Sequence, residues 1–107
     1  MELKIPEMRK EGGVTIYSLH NAKLLINKFG KPDRVILNYV VDPWDYVCIA
    51  EWGNDSFTFS GFSWGYYGEG SRGLAEFLNL CRPKTDTDTW FKKVTSLERE
   101  INDYKII

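Results

Sequence analysis

Residues 34–62 read RVILNYVVDPWDYVCIAEWGNDSFTFSGF, and this stretch decides the fold. Arg34 to Asp42 is β-branched or apolar at nearly every position, as in a strand covered on both sides. Asp42-Pro43 breaks the run. Asp45 to Trp52 reads as a second strand, and Gly53-Asn54-Asp55 as a tight turn. Ser56 to Phe62 alternates Phe57 and Phe59 with small polar residues, the period of a half-buried strand. These connections are too short for the crossover that parallel neighbours require. The three strands are therefore expected to form an antiparallel meander.

Upstream, residues 1–13 show little periodicity and end in the turn signal Gly12-Gly13. A short strand is expected at Val14 to Tyr17. Ser18 then suits the N-cap of a helix over 18–29, where Leu19, Ala22, Leu25, Ile26 and Phe29 fall at helical spacing. Gly30 and Pro32 end it. Downstream, 71–81 predicts a helix with Leu74, Phe77, Leu78 and Cys81 on one face, ended by Arg82-Pro83. Thr85-Asp86-Thr87-Asp88 offers several N-caps for a last, long helix. Its stripe of Trp90, Val94, Leu97, Ile101 and Tyr104 runs over four turns. Such a stripe packs on a sheet or forms a homodimer seam. The expected order is β-α-β-β-β-α-α, an α+β fold in one domain over 1–107.

Composition narrows the function classes. Net charge is −1 and the pI about 5.8, so general adhesion to nucleic acid or membranes is not expected. No stretch approaches the ~18 consecutive apolar residues of a membrane span. The N-terminus has no apolar signal segment, so a cytoplasmic protein with reduced thiols is expected. Cys48 and Cys81 lie in apolar runs and read as buried free cysteines, a disulfide being the alternative. With His20 as the one histidine, neither a zinc site nor a catalytic triad suggests itself. A non-enzyme without cofactor or metal is the expectation.

The unusual segment is 57–81, FTFSGFSWGYYGEGSRGLAEFLNLC. It holds Gly61, Gly65, Gly68, Gly70 and Gly73 between a predicted strand and a predicted helix. A glycine loop leading into a helix N-terminus is a ready anion cradle. From Val35 to Cys81 the one basic residue is Arg72, against Asp42, Asp45, Glu51, Asp55, Glu69 and Glu76. Its place in the first turn opposes the helix dipole unless it meets an anion, either a ligand or a neighbour such as Glu69 or Glu76. Trp64, Tyr66 and Tyr67 add rings suited to stacking. The candidate ligand contacts are thus Trp64, Gly65, Tyr66, Tyr67, Gly68, Gly70, Ser71 and Arg72. Two partners fit this pattern. One is a phosphate-bearing, nucleotide-like small molecule. The other is a basic site on a host protein, met by the acidic aromatic middle of the chain. A third reading makes the loop a tight connection that folds a helix onto an aromatic sheet.

The stretch GFSWGYYGEGSRGLAEFL resembles a W-G-Y-G-G-x-G-P motif followed by an apolar helix, found in small uncharacterised proteins of phages, plasmids and bacterial genomes. Trp64, Gly65, Tyr66, Gly68, Gly70 and Leu74 carry the resemblance. Tyr67 is an extra residue, and Ser71 stands where proline is usual. The resemblance implies a phage or mobile-element origin. It favours a small inhibitor or counter-defence protein, of the kind that blocks a CRISPR effector.

Overall fold

A computed structural model describes residues 1–41, 44–86 and 88–107, with the backbone alone at Trp44. The turn expected at Asp42-Pro43 and the cap offered by Thr87 lie outside the described residues. In chain order the elements are α1 (Thr15–Phe29), β1 (Arg34–Val41), β2 (Trp44–Trp52), β3 (Asp55–Phe59), α2 (Glu69–Cys81), α3 (Asp88–Ser96) and β4 (Tyr104–Lys105). The class is α+β. β1 pairs with β2 and β2 with β3, all antiparallel, as the short connections require. β4 adds to the free side of β1, giving the order β3-β2-β1-β4.

Strand register sets the core. Val35 lies opposite Ala50 and Leu37 opposite Cys48, while Phe57 and Phe59 oppose the same two β2 residues from the other side. Alternation puts all six on one sheet face. That face joins Ala22 and Leu25 of α1, Leu74, Phe77 and Leu78 of α2, and Trp90 and Val94 of α3 in a single cluster. Phe59, Phe62 and Phe77 lie with their ring centroids 5.0–5.5 Å apart. Each ring buried this way contributes about 1.5–3 kcal/mol by leaving water. α2 is the middle helix, packing on α1 and on α3.

Two expectations fail, each for a tertiary reason. The strand expected at 14–17 is instead the start of α1, which begins at Thr15. Thr15 and Ile16 are β-branched and weak helix formers. Here long-range bonds override that propensity. Thr15 Oγ1 donates to the Gly61 carbonyl at 2.7 Å. Ser18, expected as the cap, lies inside the helix and is fully buried. Its hydroxyl donates to Glu11 Oε1 at 2.6 Å and accepts from the Gly61 N–H at 2.9 Å. Glu11 also accepts from the Ser60 N–H at 2.8 Å and from Asn21 Nδ2 at 2.6 Å. One carboxylate thus ties residues 1–13, α1 and the end of β3 together. It places a negative charge near the start of a helix whose own first turn has no acid.

The long C-terminal helix is the second correction. α3 ends at Ser96, so the expected stripe is divided. Trp90 and Val94 are buried on α3, Leu97 and Ile101 are half-buried beyond it, and Tyr104 pairs with Leu37 as part of β4. To extend the helix, the Val94 carbonyl would accept from the N–H four residues on. It accepts instead from the Gly65 N–H at 3.0 Å and, three residues on, from the Leu97 N–H at 3.4 Å, a tightened last turn. The hydroxyls of Thr95 and Ser96 also bond back to carbonyls of the last turn. The chain beyond then runs to the sheet, where the Ile101 carbonyl accepts from the Tyr39 N–H at 2.9 Å. A homodimer seam of four helical turns is therefore not formed by these residues.

Candidate functional site

The glycine-rich segment divides into an interior half and a surface half. Its interior half is residues 61–65. Trp64 is fully buried, and its Nε1–H donates to the Arg99 carbonyl at 3.0 Å. Gly65 has φ +83°, and a Cβ there would lie 2.9 Å from the Leu97 carbonyl oxygen. Positive φ and close backbone approach are the two reasons a position demands glycine, and Gly65 has both. Together Trp64 and Gly65 bind the carbonyls of Val94 and Arg99, which stops α3 and turns the chain toward β4.

The surface half begins at Tyr66. The rings of Tyr66 and Tyr67 meet different neighbours. Tyr66 lies toward Tyr46, centroids 6.3 Å apart, and its hydroxyl accepts from Ser63 Oγ at 3.0 Å. The same ring fills the space beside Gly68, while Ser63 fills the space beside Gly70. The Cβ positions of both glycines are thus filled from within the chain. Tyr67 is 81% exposed and meets Phe91 of α3 edge-on, centroids 5.6 Å apart. Arg72, exposed on the first turn of α2, places its guanidinium carbon 4.4 Å from the centroid of the same Phe91 ring. Among the described residues Arg72 forms no ion pair.

These positions decide what each expected contact can do. Tyr66, Tyr67 and Arg72 reach the surface. Trp64 and Ser71, expected as ligand contacts, are fully buried and present nothing to a ligand. Among the described residues the Ser71 hydroxyl has no hydrogen-bond partner. It sits too near the helix start to bond back within α2, since the residue four positions earlier, Tyr67, precedes the helix. Gly65, Gly68 and Gly70 serve packing. Phe91 was not singled out by the sequence reading. Its signal was present: an aromatic ring beside Trp90, off the apolar stripe of an amphipathic helix.

Two grooves flank Arg72. One, between α2 and α3, has a volume of about 320 Å³ and is lined by Arg72, Ala75, Glu76, Asn79, Asp88 and Phe91. The other lies between α1 and α2. Acids dominate the rims: Glu69, Glu76 and Asp88 stand exposed around the single guanidinium. At the far end of the aromatic face, Tyr46 meets the Trp64 ring edge-on at 4.9 Å. Burial, then the neighbouring Tyr66 and Tyr39, hold its hydroxyl above the ordinary tyrosine pKa, with Arg99 opposing.

Neither cysteine has the makings of a nucleophile. Both are buried and free. Burial pushes the Cys81 thiol up to about 12 and the Cys48 thiol well above its ordinary value. Among the described residues no three His, Cys, Asp or Glu side chains converge, and no helix is long and apolar enough to cross a membrane. No protein-family model, curated protein or solved structure matches the chain.

Proposed function

We propose that this protein is a small non-enzymatic binding module that docks its aromatic, acid-rimmed helical face on a basic surface of another protein, as an inhibitor does. One observation carries the reading: the exposed Tyr67 and Arg72 both pack on the half-buried Phe91 ring, Tyr67 edge-on and Arg72 over its face, with Glu69, Glu76 and Asp88 exposed nearby. Tyrosine and arginine are the residue types that dominate contact energy between proteins. Stacking on Phe91 limits the motion of the Arg72 side chain before a partner arrives, which lowers the entropic cost of binding. The acidic rim steers the encounter toward a basic surface. The burial of Trp64 and Ser71 removes two of the contacts a phosphate cradle at the α2 start would use, which favours this reading. The motif resemblance fits a cytoplasmic inhibitor encoded by a mobile element.

The test is affinity capture from a lysate with the wild-type chain beside Tyr67→Ala and Arg72→Ala, at low and high salt. The expected result is a partner held by the wild-type chain, lost with both variants and weakened by salt. A partner retained equally by both variants sinks the proposal. So does a thermal stabilisation by nucleotides that Arg72→Ala abolishes, which would restore the small-molecule reading.

A further inference from the structure

We infer that the groove between α1 and α2 is the socket for a cationic segment of that partner, one aliphatic side chain seated against Ile16 and Leu19 and two cations meeting Glu69 and Glu76. The inference rests on reading the Arg72 face as a protein contact, and it names what binds beside it. The groove has a volume of about 220 Å³, lined by Thr15, Ile16, Leu19 and Gly73 with Glu69, Arg72 and Glu76. The floor is Thr15, packed on the buried Gly73. A Cβ on Gly73 would collide with the Thr15 methyl group, so the two helices approach closely at this point. Pockets for drug-sized molecules run about 300–1,000 Å³, and this one suits a side chain better. Its apolar wall is open to water: Ile16 is 66% exposed.

Charge identifies the rest of the occupant. Glu69 and Glu76 are seven residues apart on α2, two turns or about 10 Å along one face. Neither is well satisfied within the chain. Lys23 Nζ reaches Glu76 only at 4.0 Å, with both side chains more than half exposed. A contact of that kind contributes little and is displaced at little cost. Glu69 forms no ion pair among the described residues. Arg72 lies between the two acids in sequence, but its guanidinium leans over Phe91 on the α3 side. The groove therefore presents two carboxylates at helical spacing beside an apolar wall. Its complement is a segment with a leucine-like anchor between two lysines or arginines at the same spacing.

The test uses the full ¹⁵N-labelled chain and the peptide acetyl-AAKAAALAAKAA-amide, whose lysines are seven residues apart with leucine between them. Saturable amide shifts at Ile16, Leu19, Gly73 and Glu76 are expected. The exposed double change Glu69→Gln with Glu76→Gln should weaken binding about tenfold or more with Tm unchanged, consistent with two charge-assisted contacts. Replacing the peptide's leucine by alanine should abolish the shifts. Unsaturable or scattered shifts overturn the inference, as does an affinity within twofold for the double variant. Shifts confined to Tyr67 and Phe91 overturn the socket and leave the aromatic contact face standing. If the peptide finds neither region, and lysate capture is indifferent to Tyr67 and Arg72, both readings fail.

Discussion

The two halves of the glycine-rich segment obey different rules although their composition is similar. Residues 61–65 are interior: Phe62 and Trp64 are buried, and Gly65 presses against the backbone after α3. Residues 66–72 turn outward, with Tyr66, Tyr67, Glu69 and Arg72 exposed. The same residue types thus build a helix stop in one half and a contact face in the other. The lesson is that glycine and aromatic density marks close approach, while the neighbouring elements decide whether the surface is inside or outside.

Substitutions in the two halves should separate cleanly, and the largest effect belongs to the interior. Trp64→Ala should cost about 3–5 kcal/mol in a urea titration, the range for a buried aromatic. It also removes the Trp64 Nε1–H bond to the Arg99 carbonyl. A cost under about 1 kcal/mol would break the comparison. Gly65→Ala comes next. The positive φ alone should cost about 1–2 kcal/mol, and the Leu97 carbonyl adds a clash. Increased amide exchange over 94–101 should accompany it, because the stop on α3 loosens.

Arg72→Ala should cost no more than about 0.5–1 kcal/mol, the value of an exposed stack on one ring. Tyr67→Ala should stay within about 0.5 kcal/mol, as surface changes do. A loss of several kcal/mol in either would place the outer half in the core as well. Ser71 is the exception within that half. Its buried hydroxyl has no partner among the described residues, so Ser71→Ala should leave Tm unchanged or raise it.

Tyr46 touches both halves, facing Trp64 and Tyr66, and its titration sharpens the comparison. Its hydroxyl is held above the ordinary value of 10.0 by burial first, then by Tyr66 and Tyr39. The folded pKa exceeds the unfolded one. This contribution to stability is therefore complete below pH 10 and is lost as pH rises through the folded value. In an ultraviolet titration Tyr46 should ionise late, and Tyr66→Phe should bring it back toward 10. The thiols act in the same direction. The unfolded Cys81 ionises near 9.0 while the folded one holds its proton to about 12, so stability should fall across that interval.

Much of this protein was legible without coordinates. Runs of β-branched residues separated by short turns dictate three antiparallel strands, because the pleat and loop length leave no other pairing. The helical spacing of Leu74, Phe77, Leu78 and Cys81 dictates the buried face of α2. The core positions of Phe57 and Phe59 followed from alternation. These signals are local, and local periodicity survives in any context. Long-range hydrogen bonds decided the rest. Glu11 and Gly61 hold Thr15 and Ser18 in a helix that their propensities do not favour. The Gly65 N–H donates to the Val94 carbonyl and so divides a stripe that reads as one helix. Arg72 meets Phe91 only because α3 folds beside α2, nineteen positions further along the chain. A backbone carbonyl can accept two N–H groups, and a donor distant in sequence can take a place beside a tightened last turn, as Gly65 does with Leu97 at Val94. That arrangement is settled by the fold, and no short window of sequence contains both donors.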